Sequence, residues 1–187
     1  QHSDFILSFG SGFIEGWESP VYMFRGKSAL VQNGGRMDQI EPRLSKTAAK
    51  SDKWIAIKPG SEGALALGLI NSLLNDHGIY DAEYLSYKTN APYLIRPSDG
   101  RYMRDKETDK PLVWDTVDNC PKVHDDPSVT RVEYEDDAHE VALFGSYEVD
   151  GVSCRPSLDL LREHVKKYTP EYVEEVTWVP AATVTRI

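Results

Sequence analysis

The chain has 187 residues, of which 40% are hydrophobic and 27% charged, and its formal net charge is −9 at pH 7. This length and composition fit one globular domain with a core of its own. A nucleic-acid backbone or an anionic membrane surface would meet a repulsive field, so we expect neither nucleic-acid binding nor direct membrane contact. The two cysteines, Cys120 and Cys154, stand apart without a C-x-x-C pattern, which favours ordinary thiols over a metal or redox pair.

Three short apolar segments alternate with longer stretches at the start of the chain. We predict strands over residues 4–9, 36–40 and 53–58, with a helix between the first two and a short helix or turn between the last two. Alternation of strand and helix is typical of a parallel sheet with right-handed crossover connections.

The clearest predicted helix begins at Ser61, which is its predicted cap, and Gly78 can end it. A shorter helix is predicted over residues 81–89, beginning at Asp81. The apolar face of the first helix is formed by Ala64, Leu65, Leu67, Ile70, Leu73 and Leu74.

The composition changes between residues 90 and 150, where Pro, Asp and Gly separate short β-rich pieces that we interpret as an antiparallel excursion. Helices return at residues 155–169 and after Pro170 and Pro180. The predicted fold class is therefore α/β, with a doubly wound, Rossmann-like and mostly parallel sheet flanked by helices.

We predict a single domain over residues 1–187, with an α/β core of residues 1–90 and 150–187 and a β-rich insertion over about 91–150. A core strand begins almost at the first residue and the last predicted helix is unfinished. We therefore expect a piece of a larger multidomain protein.

Ligands of doubly wound sheets bind beyond the carboxyl ends of the strands, so the residues directly after each predicted strand belong together. The glycines after the first strand approach the G-x-G-x-x-G phosphate-binding fingerprint without matching it, because Gly16 comes one place late. The three groups are Gly10, Ser11, Gly12 and Glu15 after the first strand, Glu41 and Arg43 after the second, and Pro59, Gly60 and Glu62 after the third.

Each group offers a different contact to a nucleotide. Glycines let the backbone approach a pyrophosphate, and the Glu41 carboxylate can accept hydrogen bonds from ribose hydroxyls. The Glu62 carboxylate, in a first helical turn, can accept the two adjacent N–H donors of guanine, a pair that adenine lacks. Taken singly, each group also has a plainer interpretation: a glycine turn, the end of a strand, and a carboxylate that complements a helix dipole.

The sequence around these groups resembles a known family. Residues 40–85 are similar to the run D-P-R, S-x-T-A, A-D-x-W-L-x-I-x-P-G-T-D-x-A-L of the molybdopterin oxidoreductases, the dimethyl sulfoxide reductase family. Residues 4–20 resemble the preceding strand and G-x-N-P-x-E-S turn of that family, and residues 160–187 resemble its later Y-T-P-E and V-P-A segments.

The resemblance implies a doubly wound domain that holds the guanosine end of one molybdopterin guanine dinucleotide. Gly12 stands where the family has Asn, and Glu41 and Glu62 stand where it has Asp, so the carboxylate chemistry is kept but the contact of the Asn amide is not carried over. By the same resemblance, Gly10, Ser11, Gly12 and Glu15 face the phosphates and sugar, Glu41 and Arg43 the ribose region, and Pro59, Gly60 and Glu62 the guanine.

The C-x-x-C-x-x-x-C cluster motif and the Ser, Cys or selenocysteine ligand of molybdenum of the family have no counterpart in the chain. The resemblance therefore implies that molybdenum and an iron–sulfur cluster belong to the rest of a prokaryotic parent oxidoreductase. We expect no catalytic and no metal-ligating residue within this chain. The expected partners are the remaining domains of the parent and electron-transfer subunits, while compartment and substrate stay open.

Two other classes of function remain open, a free-standing nucleotide-binding module of the NAD type and a structural or interaction domain. Gly10 and Glu41 are 31 residues apart, whereas a dinucleotide fold usually has roughly 20 residues between the glycines and the ribose-binding carboxylate. The Pro-Gly-Ser-Glu sequence also has no part in NAD binding. Both features favour the molybdopterin interpretation.

Some acidic and aromatic residues have simpler interpretations than a site. Residues 124–126 (HDD) and 133–140 (EYEDDAHE) are predicted to be solvated acidic loops rather than metal sites. Trp54, Trp114 and Trp178 are predicted to be packing residues.

Overall fold

The computed structural model describes residues 3–17, 19–131 and 138–187. The chain divides into two compact units: unit 1 comprises Gln1–Ser72 with Lys167–Ile187, and unit 2 comprises Leu73–Lys166. Unit 2 thus contains the predicted β-rich segment together with the helices that flank it.

Helices and strands are distributed over both units. The α-helices of the described residues are α1 (Pro20–Gln32), α2 (Glu62–Asn71), α3 (Ala82–Lys88), α4 (Ser157–Val165), α5 (Pro170–Thr177) and α6 (Ala181–Arg186), with a 3-10 turn at Ala48–Lys50 and a π-helical turn at Ser72–His77. The strands are β1 (Phe5–Phe9), β2 (Arg36–Ile40), β3 (Lys53–Ile55), β4 (Leu94–Arg96), β5 (Arg101–Tyr102), β6 (Leu112–Asp115), β7 (Cys120–Val123), β8 (Tyr147–Val149) and β9 (Val152–Pro156).

Unit 1 is built on a parallel sheet in the order β1-β2-β3, as the strand–helix alternation predicts. The predicted first and second strands are confirmed. The third ends at Ile55 rather than at residue 58, because its pairing partner Ile40 is the last residue of β2 and nothing continues the ladder beyond it.

Helices cover both faces of this sheet. Successive side chains of a strand point to opposite faces, and Ile6 lies against Met23 and Leu30 of α1 around a cavity of about 150 Å³. Leu7, on the other face, packs against a core that α2, α5 and α6 complete. That core contains Ile40, Ile55, Ile57, Leu65, Val173, Val179 and Val184.

Unit 2 is antiparallel. Its larger sheet has the order β5-β4-β9-β8, and β6 pairs with β7 in a separate hairpin. The fold is therefore mixed α/β, with one parallel sheet and separate antiparallel sheets, and the predicted antiparallel excursion is confirmed. Among the helices of the described residues, none has the length and apolar character needed to cross a membrane.

The sequence interpretation was wrong at two boundaries in unit 2. Arg155 and Pro156 begin no helix; they end strand β9, because they pair with Ile95 and Leu94. Strand β7 was not predicted at all. Most of the piece predicted as a strand at residues 130–135 lies outside the described residues.

The helix starts show which local signals were sufficient. Asp81 caps α3 as predicted, since its carboxylate accepts a hydrogen bond from the backbone N–H of Tyr84 at 2.8 Å. Ser61 precedes α2 but its side chain does not cap it; the hydroxyl donates to the carbonyl of Lys58 at 2.7 Å. The cap prediction at Ser61 is therefore wrong, although the start of the helix is correct.

The tryptophans divide into two groups. Trp114 is a packing residue as predicted, because its ring stacks on Tyr147 at a centroid distance of 4.7 Å. Trp54 and Trp178 are 40% and 67% exposed, so the prediction that they pack in the interior is wrong.

Candidate nucleotide-binding site

The carboxyl ends of the three parallel strands lie at one edge of the sheet and are joined by backbone hydrogen bonds. The N–H of Gly10 donates to the carbonyl of Ile40 at 2.8 Å, and the N–H of Glu41 donates to the carbonyl of Ile55 at 3.2 Å. The three residue groups predicted from the sequence therefore follow neighbouring strands at this edge.

The first loop is a tight glycine turn. Gly10 has a φ of +60°, which favours glycine, and a Cβ there would meet no atom within 4 Å. The carbonyl of Gly12 accepts hydrogen bonds from the N–H groups of Glu15 and Gly16 at 2.9 and 2.7 Å. The carbonyl of Ser11 accepts from the side-chain amide of Gln39 at 3.4 Å. The turn is thus held from within and leaves open space above Gly10.

Glu15 connects the first loop to the second. Its carboxylate accepts a hydrogen bond from the backbone N–H of Lys46 at 3.3 Å. Because Glu15 is exposed, the carboxylate also remains accessible to solvent and to a ligand.

Glu41, at the start of the second loop, is buried. One of its carboxylate oxygens accepts hydrogen bonds from the N–H of Ser45 at 3.2 Å and from the Ser45 hydroxyl. Its carbonyl accepts from the indole N–H of Trp54 at 2.9 Å. Glu41 therefore holds the second loop in shape. Arg43, in the same loop, is exposed and forms no ion pair within the described residues.

The third loop leads directly into α2. Gly60 has a φ of +81° and open space where a Cβ would be. Glu62 is the first residue of the helix and is half-buried, and its carboxylate makes no hydrogen bond or ion pair with the part of the chain that the structure describes. The positive end of the helix dipole favours a carboxylate or another anion at this position.

One segment at this edge was not predicted from the sequence. The backbone N–H of Lys58 donates to the carbonyl of Thr177 at 2.9 Å, which brings the end of α5 and Trp178 to the third loop. No local pattern in the sequence indicates a pairing between residues so distant along the chain.

Buried polar atoms without a partner lie just below the loops. Ser8 and Gln39 are register partners, so their side chains lie on the same face of the sheet. The Ser8 hydroxyl, the Oε1 of Gln39 and the hydroxyl of Thr47 have no hydrogen bond within the described residues. Buried polar groups are normally paired, so the base of the first two loops retains hydrogen-bonding capacity that suits a polar ligand or water.

A different polar cluster lies in unit 2. Ligand atoms of Asp115, Asp118 and His139 lie within 4.8 Å of one another. The ammonium of Lys122 is 2.7 Å from the buried carboxylate of Asp115 and also binds Asp118. A protein cation therefore already neutralises these carboxylates.

Electrostatics explain how Asp115 stays ionised in the interior. Burial raises its pKa, but hydrogen bonds from Lys122 and His139 outweigh that effect and hold the pKa well below its usual range. The hydrogen bond to Asp115 raises the pKa of Lys122. His139 belongs to the segment predicted to be a solvated loop, yet it is half-buried with its Nδ1 2.7 Å from Asp115; residues 133–137 of that segment lie outside the described residues.

No protein-family model matches the chain. A sulfite dehydrogenase of Allochromatium vinosum has a subunit that is 32% identical to it over 168 residues, which cover 86% of this chain and 17% of that protein. The putative catalytic subunit of a dimethyl sulfoxide reductase of Halobacterium salinarum is 31% identical over 159 residues, which cover 82% of this chain and 18% of that protein. The chain belongs to the dimethyl sulfoxide reductase family of molybdopterin oxidoreductases. The resemblance predicted from the sequence is confirmed.

A solved structure of the same general fold is acetylene hydratase from Pelobacter acetylenicus. The TM-score is 0.53 at 17% sequence identity, and the match covers 98% of this chain and 16% of the hydratase. This chain of the dimethyl sulfoxide reductase family therefore spans less than a fifth of the length of the two relatives and of this structure.

Proposed function

We propose that this chain is the part of a molybdenum-dependent oxidoreductase that holds the guanosine end of molybdopterin guanine dinucleotide. The observation that carries the proposal is the convergence of three loops at one edge of a parallel sheet, with the unpaired carboxylate of Glu62 at the start of α2. Family membership supports it, because a molybdopterin cofactor is what relatives of this kind require.

The fold supports the same interpretation. Three parallel strands with helices on both faces are the first half of a doubly wound, Rossmann-like sheet, in which nucleotides bind beyond the carboxyl ends of the strands. We propose that residues 1–187 act together as one cofactor-binding domain of a longer enzyme. Its remaining domains and electron-transfer subunits are the proposed partners.

The residues divide the task by chemistry. Gly10, Ser11 and Gly12 offer backbone and open space to the phosphates, as glycine turns after a first strand do. Glu15 and Arg43 are exposed charged groups for the sugar region.

Glu41 and the third loop act at the ribose and the base. One oxygen of Glu41 is engaged by Ser45, so its proposed role is to hold the second loop while its other oxygen is left for a ribose hydroxyl. Pro59 and Gly60 let the base approach the backbone, and Glu62 accepts the two N–H donors of guanine.

The bound cofactor supplies the redox chemistry of its metal, and the residues of this chain bind and orient its nucleotide end. We propose no catalytic residue and no metal ligand within residues 1–187. Nucleotide binding by this chain is therefore the activity to measure.

Guanine selectivity is the test. We expect GDP to shift backbone NMR signals around Gly10, Glu41 and Glu62 at lower concentration than ADP, with a preference of at least about tenfold, because a charge-assisted hydrogen bond contributes about 1.5–3 kcal/mol. Glu62→Gln replaces one acceptor oxygen by an amide donor and should abolish the preference.

Glu171→Gln is the matched control, because Glu171 is also an acidic residue in the first turn of a helix of unit 1. It should leave the preference unchanged. Equal shifts with ADP and GDP, or a preference that survives Glu62→Gln, would contradict the guanine assignment. Equal binding of NAD and GDP would favour an ordinary nucleotide-binding module, and no binding of any nucleotide at ~10 mM would favour a structural domain.

A further inference from the structure

Trp178 follows α5 at the end of α2 that carries the proposed base-binding residue. The side-chain amide of Asn71, at the end of α2, donates to the carbonyl of Tyr168 at 3.4 Å, just before α5 begins. At the other end, the N–H of Lys58 donates to the carbonyl of Thr177. The two helices therefore run antiparallel, and Trp178 lies at the amino end of α2.

The backbone around Trp178 directs its ring into solvent. Trp178 has a φ of +66°, a left-handed conformation that glycine or asparagine normally provides at the end of a helix and that is unusual for a bulky residue. Its neighbours Thr177 and Val179 are fully buried. The Thr177 hydroxyl donates to the carbonyl of Val173 at 2.6 Å and accepts from the N–H of Val179 at 3.1 Å. Both sides of the strained residue are thus fixed, while the indole is exposed.

A large exposed aromatic ring in a strained conformation indicates a function. One contact of the ring is with Lys58, whose ammonium is 5.4 Å from the ring centroid. Since 67% of Trp178 remains accessible, the ring still offers a broad apolar surface beside the third loop.

We propose that Trp178 stacks on the purine ring whose edge Glu62 binds. The proposal rests on the proposed nucleotide site and adds a residue that supplies affinity rather than selectivity. Aromatic side chains stack on every base, because each base has a π-face. Trp178 therefore acts on guanine and adenine alike, whereas Glu62 distinguishes them.

The test replaces Trp178 by glycine in the 187-residue chain. Glycine accepts a positive φ without strain, so Trp178→Gly should fold with an unchanged or higher melting temperature. We expect the dissociation constants of GDP and ADP to rise by the same factor, about tenfold. Trp178→Phe retains a stacking ring and should bind within about threefold of the unchanged chain. An intermolecular NOE between the purine H8 and the indole protons should be visible in the unchanged chain.

Tyr172→Ala is the control, because Tyr172 is an exposed aromatic residue at the opposite end of α5. It should leave both dissociation constants unchanged. If the chain prefers GDP but Trp178→Gly binds it with unaltered affinity, the stacking proposal is wrong and the guanine site stands. If GDP and ADP bind equally and Trp178→Gly weakens both, stacking is supported and the guanine assignment fails. If the unchanged chain binds neither purine nucleotide, both proposals are wrong.

Discussion

The two units treat their buried carboxylates in opposite ways. In unit 2, Asp115 is fully buried and binds Lys122 and His139, and the buried Asp159 binds Arg155 and Arg162 at 3.0 and 3.2 Å. In unit 1, Asp38 is fully buried in β2, yet neither carboxylate oxygen has a hydrogen-bond partner within the described residues.

The surfaces differ in the same direction. Within the described residues, no ion pair joins two side chains of unit 1, whereas unit 2 contains a series of them. Unit 1 also exposes apolar side chains on α1, with Val21, Phe24 and Val31 at 74%, 44% and 47%. Polar groups without partners and apolar groups without cover both indicate a surface that binds something else. Unit 2 is polar-satisfied by its own side chains, and unit 1 is the unit built for ligands.

The largest expected effect is the loss of the Asp115 carboxylate. Asp115→Val should lower the free energy of unfolding by about 3–5 kcal/mol, because it leaves Lys122 partly unpaired and removes the acceptor of the N–H groups of Val117 and Asp118. Hydrogen exchange followed by mass spectrometry reports each unit separately, and protection should fall in the peptides of unit 2. Unchanged protection there would show that the network around Asp115 is not stabilising.

The same carboxylate predicts a pH dependence. The folded-state pKa of Asp115 is depressed, so its contribution is fully present above the unfolded pKa of roughly 3.9 and is lost as pH falls towards the folded value. Asp115→Asn cannot titrate and serves as the comparison. The difference in urea midpoint between this variant and the unchanged chain should therefore shrink as the pH is lowered from about 6 to about 3. A constant difference would mean that Asp115 is not ionised in the folded state.

The matched change in unit 1 should have the opposite sign. Asp38→Val replaces an unpaired buried carboxylate by a residue that favours strands, so the free energy of unfolding should rise by about 2 kcal/mol. Protection from hydrogen exchange should increase in the peptides of β1 and β2. A loss of stability as large as that of Asp115→Val would show that Asp38 has a partner, such as a buried water, and that the contrast between the units is wrong.

Local patterns were sufficient for much of this molecule. The alternation of strands and helices predicts unit 1, and the carboxylate of Asp81 predicts the start of α3, because both depend on neighbours in sequence. Strand β9 was missed because Arg155 and Pro156 become extended only by pairing with β4, far away in the chain. Trp178 was assigned to the interior because hydrophobicity favours burial, and nothing in the sequence reveals that its flanking residues are fixed by Val173 and Lys58.

The site shows the same limit. The three loops are adjacent as expected, since parallel strands end at one edge of a sheet. The engagement of Glu41 by Ser45 was not predictable, because the resemblance to a family identifies a position and not the hydrogen bonds that this chain makes there. The acid cluster around Asp115 was overlooked for a related reason: His139 is 24 residues from Asp115 in the chain, and the hairpin β6-β7 brings Lys122 between them.

The smallest expected effect concerns the apolar surface of α1. Val21, Phe24, Ser28 and Val31 follow the spacing of one helix face, and the Ser28 hydroxyl donates to the carbonyl of Phe24 at 3.0 Å, so this face presents few polar groups. Phe24→Ser should change the free energy of unfolding by less than about 0.5 kcal/mol, since the ring is largely exposed. It should nevertheless lower the fluorescence of a bound hydrophobic dye, which reports exposed apolar area. Arg25→Ser, next to it on α1, should leave dye binding unchanged. Equal dye binding by all three chains would show that this face is not the exposed apolar surface of unit 1, and a large loss of stability in Phe24→Ser would show that the ring is packed rather than exposed.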